Sequence, residues 1–237
     1  MQLSKRLAAI AAMVTKGNRV VDVGCDHGYI PIYLMTKGWI PSAIAMDINR
    51  EPLLRAKANI MEHGLSDYIE TRLSDGVSSL DAFEGDTLVI AGMGGPLMER
   101  ILSNGADDVL CSFREFILEP QSDVGHFRLF LMTHGYGIIS ENMILDGGKF
   151  YPVMKAVHKE SEPLKPEELE YGPCLLRNQD RVLHEYLCRE MRSTRQLISN
   201  LQKSQSGAAA ERIKVLEQKI NLIDLSNDYY CTHIAER

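Results

Sequence analysis

The chain has 237 residues, 45% hydrophobic and 24% charged, which suits one sizeable soluble domain with a small appendage. A formal net charge of −6 argues against indiscriminate nucleic-acid binding, and five scattered cysteines without a CxxC pair suggest neither a disulfide framework nor a zinc site. No apolar run approaches the roughly 18 residues of a membrane span, and the first residues lack the apolar core of a signal peptide, so a cytoplasmic, metal-free protein with no membrane partner is expected.

Residues 3–16 read as an amphipathic helix with Ser4 as its N-cap. The apolar run Val20–Val23 suits a buried parallel strand, and the turn from Gly24 to Gly28 leads into a helix with Pro31 in its first turn. A second strand spans Ser42–Asp47, and a helix capped by Asn49 runs to about His63, stopped by Gly64. A third strand, Tyr68–Leu73, precedes Ser74-Asp75-Gly76; a fourth, Asp86–Ala91, runs into Gly92-Met93-Gly94-Gly95-Pro96, which opens a helix to Ser103. The fifth strand, Glu115–Glu119, ends in Pro120-Gln121, after which Ser122 or Asp123 can cap a helix reaching His134. Tyr136–Leu145 and Phe150–His158 flank Asp146-Gly147-Gly148-Lys149 as a hairpin. Strand–helix alternation closed by an antiparallel hairpin is an α/β Rossmann-like layout of the Class I methyltransferase kind.

The turn after the first strand departs from a dinucleotide site. Gly24 and Gly28 do not complete G-x-G-x-x-G, and Asp22 and Asp26 would repel a pyrophosphate, which disfavours an NAD-dependent oxidoreductase. Two carboxylates suit a ligand with a sulfonium and an α-amino group, S-adenosyl-L-methionine (SAM); capping of turn and helix is the structural alternative. Asp47, 23 residues beyond Gly24, stands where such folds place the ribose-binding acid. Asp75, next to Gly76, is the candidate for the adenine amino group, with an ordinary Asp-Gly turn as its rival. Gly92, Met93 and Gly94 should face Gly24 across a crevice at the carboxyl ends of the strands. His27 and Tyr29 can contact cofactor or base, or simply pack the helix start. The loop from Ala91 lacks the Asn/Asp-Pro-Pro-aromatic signature of enzymes that methylate exocyclic amines, so a ring nitrogen is the favoured acceptor.

Beyond the hairpin, residues 159–172 read as a charged linker with two prolines, separating residues 1–158 from residues 173–237. Leu183, Leu187, Met191, Thr194, Ile198 and Leu201 recur at helical steps, as do Ile213, Leu216, Ile220 and Ile223, with a break at Ser204–Gly207. The pair reads as an antiparallel coiled-coil hairpin. Over residues 177–203 Arg177, Arg181, Arg189, Arg192, Arg195 and Lys203 outnumber three acids, a local excess on what reads as one helix. An RNA contact and a solvated face explain this equally well.

Asp22-Val-Gly-Cys-Asp-His-Gly-Tyr-Ile-Pro31, Ala91-Gly-Met-Gly-Gly95, Leu3-Ser-Lys-Arg-Leu7, Leu73-Ser-Asp-Gly76, Glu119-Pro-Gln121 and Lys149-Phe-Tyr151, with the C-terminal hairpin, resemble the TrmK family along the whole chain. These are bacterial tRNA (adenine-N1)-methyltransferases that modify position 22. The resemblance implies SAM as methyl donor, tRNA as substrate and adenine N1 as acceptor. Asp26, in the turn and not needed by the cofactor, is the candidate catalytic carboxylate. A monomer is expected. A non-catalytic SAM- and RNA-binding protein, or a small-molecule methyltransferase, are the competing readings.

Overall fold

The computed structural model describes residues 1–203 and 207–231. The chain forms two compact units that divide between Glu162 and Pro163. The first contains α1 (Lys5–Met13), β1 (Val20–Val23), α2 (Tyr29–Thr36), β2 (Ala43–Asp47), α3 (Arg50–Glu62), β3 (Ile69–Leu73), β4 (Thr87–Met93), α4 (Gly95–Asn104), α5 (Asp107–Ser112), β5 (Glu115–Pro120), α6 (Val124–Thr133), β6 (Tyr136–Asp146) and β7 (Lys149–His158).

Its seven strands lie in the order β3-β2-β1-β4-β5-β7-β6. Strands β1 to β5 pair in parallel, and β7 runs antiparallel to both β5 and β6. Every residue of β1, β2 and β5 is buried, as expected of strands covered on both faces. One face packs against Met98, Ile101, Phe127 and Leu131 of α4 and α6; the other packs against Ile10, Ile32, Leu34, Ala56 and Ile60 of α1, α2 and α3. The order reverses between β1 and β4, whose ends are level at Val23 and Ile90, so the ligand crevice of such a sheet opens there.

Helix α1 is tied to β5 at both ends. Ser4 Oγ accepts from Leu7 N at 3.2 Å, the expected N-cap. Near that end Arg6 Nη1 donates to Glu119 Oε2 at 2.9 Å and Arg6 N donates to Asp146 Oδ2 at 3.1 Å. Beyond the other end Thr15 donates to Glu115 through N at 2.8 Å and Oγ1 at 2.6 Å. This pull explains why the helix stops at Met13, short of the expected residue 16.

Other expectations are revised. Asn49 does not cap α3 with its side chain; instead Asp47 Oδ1 accepts from Asn49 N at 2.8 Å, an Asx-type turn that already holds the chain there. Strand β4 runs past Ala91 to Met93 through a bulge, because Gly92 N donates to Glu119 Oε2 at 2.7 Å and Gln121 N donates to Met93 O at 2.8 Å. Asp123 precedes α6 at φ 52° without a side-chain cap. The short α5 has no counterpart in the sequence reading.

The second unit holds α7 (Pro166–Tyr171), α8 (Pro173–Arg177), α9 (Arg181–Leu201) and α10 (Gly207–Cys231). Part of the expected linker is therefore helix, with Glu167, Glu168 and Tyr171 buried. The basic segment is not one helix either. Gln179 at φ 51° breaks it, and Asp180 caps α9 by accepting from Val182 N and Leu183 N, which leaves Arg177 on α8 and Lys203 beyond α9. Leu183, Leu187 and Thr194 of α9 are buried, as are Leu216 and Ile223 of α10. Gln179 Nε2 donates to Tyr229 O at 2.6 Å and Tyr230 Oη to Asp180 O at 2.9 Å, so the two helices are antiparallel. Gly207 begins α10, while Ser204–Ser206 of the expected break lie outside the described residues. No described helix is long and apolar enough to cross a membrane.

Burial alone would raise the Glu115 carboxyl, but donors from Lys155, Thr15 and Thr87 outweigh it and hold the group below the ordinary glutamate range. A carboxyl depressed by folding contributes stability above its unfolded value of about 4.3, and this is lost as pH falls through the folded value. Glu115→Gln should therefore lower stability by about 2 kcal/mol at neutral pH, with the gap closing at acid pH as the folded value is passed. Urea unfolding of both proteins between these pH values checks it; a gap independent of pH would assign the loss to packing.

Candidate cofactor and acceptor site

At the end of β1 the chain turns sharply. Gly24 N and Cys25 N both donate to Met46 O, at 2.8 and 2.9 Å, and Gly28 N donates to Cys25 O at 2.7 Å. Gly24 and Asp26 lie at φ 77° and 45°, left-handed values that glycine accepts freely and aspartate better than most residues. A Cβ on Gly24 would stand 2.2 Å from Met93 Cε, so the end of β4 presses directly on this turn. Helix α3 holds the turn from outside: Arg55 Nη2 pairs with Asp26 Oδ1 at 3.0 Å and Asn59 Nδ2 donates to His27 O at 2.9 Å. The rings of His27 and Tyr29 stack at 5.0 Å, 6° from parallel.

Facing this turn are Ala91 and Gly92 of β4, Arg6 and Leu7 of α1, and Gln121. Together with Asp22, Gly24, Cys25, Asp26, His27, Tyr29 and Ile30 they enclose a cavity of about 220 Å³. The elements around it meet through Glu119, a fully buried carboxylate that accepts from both Arg6 Nη1 and Gly92 N. Burial pushes its carboxyl up, against the opposing effects of Arg6, Gly92 and Gln121.

The cavity floor is electrostatically unusual. Asp22 is buried, and among the described residues no protein group donates a hydrogen bond to its carboxylate. Burial, and then the charge of Asp47, raise its pKa to about 7. The same surroundings push the Cys25 thiol far up, burial first and then Asp22 and Asp47, so Cys25 is no thiolate nucleophile. Asp47 sits at the end of β2, one residue past Met46, and its carbonyl accepts from Ser74 N at 3.0 Å. The ends of β1, β2 and β3 thus set Gly24, Asp47 and Ser74 in a row.

Of the expected site residues, Asp22, Gly24, Asp26, His27, Tyr29 and Gly92 come together around the cavity, with Met93 resting against Gly24. Gly28 is buried against Ala56 at the start of α2. Asp75, Gly76 and Gly94 are not among the residues lining the cavity. A Cβ on Gly94 would stand 2.9 Å from Ser122 Oγ, and one on Gly76 3.0 Å from Ile101, so both positions are closely packed. Asp75 projects outward, its side chain 65% exposed and 4.0 Å from Arg100. Arg6, Leu7, Cys25, Gln121 and the supporting Glu119 and Arg55 had no role in the sequence reading. Arg6 and Glu119 lie 113 positions apart, and only the motifs that contain Arg6, Glu119 and Gln121 marked them. Among the described residues no group of three or more His, Cys, Asp or Glu side chains could hold a metal ion.

A family profile described as a methyltransferase domain matches residues 3–154. The chain is 31% identical to Sp1610 of Streptococcus pneumoniae, solved with S-adenosyl-L-methionine, over 95% of this chain and 99% of that one, with a TM-score of 0.84. It is 29% identical to the tRNA (adenine(22)-N(1))-methyltransferase of Bacillus subtilis over 94% of this chain and 96% of the relative. The chain belongs to the TrmK family. A TrmK structure from M. capricolum with S-adenosyl-homocysteine superposes with a TM-score of 0.82 at 26% identity, covering 97% of this chain and 99% of that one. The likeness thus spans both units of the TrmK fold, including α7–α10.

In that second unit Arg177, Arg181, Arg189, Arg192, Arg195 and Lys203 are all exposed. Arg177 pairs with Glu168 at 2.9 Å, and Arg192 Nε donates to Cys188 O at 3.2 Å.

A carboxyl raised by folding binds its proton more tightly in the native chain, so Asp22 costs stability fully above about pH 7, and that cost fades as pH falls toward the unfolded value near 4. Asp22→Asn should therefore stabilise the ligand-free protein at pH 8, with the advantage shrinking by about 1.4 kcal/mol per unit below pH 7. Unfolding curves at several pH values read this directly. Parallel profiles would show that another group titrates.

Proposed function

We propose that this TrmK-family protein methylates N1 of adenine 22 in tRNA with SAM as donor, in the cytoplasm. The observation that carries the reading is Asp22, a buried carboxylate facing the cavity with no donor of its own. Such a group suits the α-ammonium of SAM and would oppose a diphosphate. The close approach at Gly24 and Gly92, and Asp47 beside them, fit the remainder of the ligand, with Asp47 assigned to the ribose. Asp75 and Gly76 are assigned to the adenine, and Gly94 to the loop that faces the methyl.

When bound, SAM supplies an electrophilic methyl on a sulfonium. Adenine N1 is unprotonated at neutral pH, so the protein need not create a nucleophile; its work is alignment, with the base drawn out of its stack. His27 and Tyr29 present a stacked aromatic surface at the cavity edge. Methylation makes the ring cationic, and a fixed carboxylate near N6 would stabilise that charge. We assign this role to Asp26, whose side chain is 61% exposed; Arg55 holds Oδ1 at 3.0 Å, and Oδ2 stays 3.7 Å from His27 Nε2. The exposed cations of α8, α9 and Lys203 are the proposed tRNA contacts, because residues 1–158 carry 14 Lys and Arg against 19 Asp and Glu.

Transfer of labelled methyl from SAM to total tRNA, followed by nucleoside analysis, should yield 1-methyladenosine. SAM binding without transfer to any tRNA would make the protein a non-catalytic binder. Asp26→Asn should lower kcat about a hundredfold while SAM affinity stays within a few-fold. Titration calorimetry beside the kinetics separates these; a parallel collapse of affinity would make Asp26 a cofactor ligand.

A further inference from the structure

We propose that Lys149, at the tip of the β6–β7 hairpin, holds an RNA phosphate that flanks the target adenine, so that the first unit has a tRNA contact of its own beside the cavity; this rests on the tRNA-methylation reading above. The tip is a two-residue turn, Gly147 and Gly148 at φ 57° and 79°, between the cross-strand partners Asp146 and Lys149. Both strands of the tip are fastened to one residue of α1. Asp146 Oδ2 accepts from Arg6 N at 3.1 Å, and the centroid of the Tyr151 ring lies 5.4 Å from Arg6 Cζ. Arg6 in turn lines the cavity. Side chains two apart on a strand share a face, as do cross-strand partners. Lys149 therefore stands on the Arg6 side of the hairpin, about 7 Å along β7 from Tyr151.

Charge indicates what this lysine meets. The cavity brings together Asp22 and Asp26, which suit a cation and repel phosphate. A base drawn out of its stack brings its ribose and two phosphodiesters with it, and these stay outside a cavity of about 220 Å³. The arginines at the cavity are already engaged, Arg6 by Glu119 and Arg55 by Asp26. Further along β7, Lys155 pairs with Glu115. Lys149 is exposed, and among the described residues its ammonium is in no ion pair, since Asp146 opposite it is taken by Arg6 N. A Cβ on Gly147 or Gly148 would meet nothing within 4 Å, so the tip stands clear of its surroundings and an RNA backbone reaches it without displacing a side chain. The double tie to Arg6 holds the tip in a fixed relation to the cavity, as a phosphate contact next to the reacting base requires.

The test pairs a substitution in the full chain with the neutralisation of one phosphate in the RNA. Lys149→Ala should raise KM for tRNA about tenfold, with kcat and SAM affinity within about twofold of native. The slope of log Kd for tRNA against log salt should shrink by about 0.7, the value of one phosphate contact. Lys149→Arg, which keeps the charge, should stay within about threefold of native. A single uncharged methylphosphonate on either side of nucleotide 22, built on 2′-deoxy residues and compared with an all-phosphate deoxy control, locates the contact. The native chain should lose about tenfold in KM at one of the two linkages, and Lys149→Ala should lose nothing further at that linkage. Unchanged KM in Lys149→Ala overturns the proposal. So do losses that add in full at both linkages, which would put the contact elsewhere on the RNA. A parallel fall in SAM affinity or thermal stability, repeated by Lys149→Arg, would give the tip a structural role instead. A native chain that binds SAM and methylates no tRNA would overturn the methylation reading, and this proposal with it.

Discussion

The buried carboxylate of Glu119 joins three parts of the chain that are far apart in sequence. It takes the N–H of Gly92 and so sets the bulge at the end of β4, and it takes Nη1 of Arg6 and so docks the start of α1. A buried carboxylate is tolerable only while such donors offset its desolvation, so strand end and helix are mutually dependent. The bulge in turn presses Met93 against Gly24, which has no side chain to resist. Cavity shape therefore follows from one buried acid and one glycine.

A second constraint is repulsion. Asp22 and Asp47 stand near the ends of adjacent strands, burial and then the Asp47 charge raise the cost of ionising Asp22, and among the described residues no cation pairs with either. A free protein pays for this arrangement in stability. A cationic ligand removes the penalty on binding, which turns stored electrostatic cost into affinity and selects against phosphates. The left-handed backbone at Asp26, held by Arg55 from α3, is a similar local cost at the cavity rim.

Much of the first unit was legible because burial on both faces leaves uninterrupted apolar runs such as Val20–Val23, and turns announce themselves by glycine and proline. The second unit was less so. Glu167 and Glu168 read as solvated linker, yet they are buried in and around α7, where Glu168 takes the Lys165 N–H and the Arg177 guanidinium. Charge in a sequence does not reveal whether a partner waits nine residues on. The basic segment read as one helix because periodicity survives a short interruption, whereas Gln179 and Asp180 break it by local backbone geometry.

The same division runs through the site. Residues adjacent in sequence, Asp22 to Tyr29, could be recognised together because one strand–turn–helix corner places them, and the acidic turn already pointed to a cationic ligand. Glycine spacing could not say what each glycine meets: Gly24 meets Met93, while Gly94 meets Ser122 and Gly76 meets Ile101. Nor could it pair Arg6 with Glu119. Local sequence by itself determined the strands, the turn and its charge, since these depend on neighbours a few residues away. Only the tertiary structure decided which side chains share the cavity, because that depends on contacts across more than a hundred residues, made when the sheet closes over its helices.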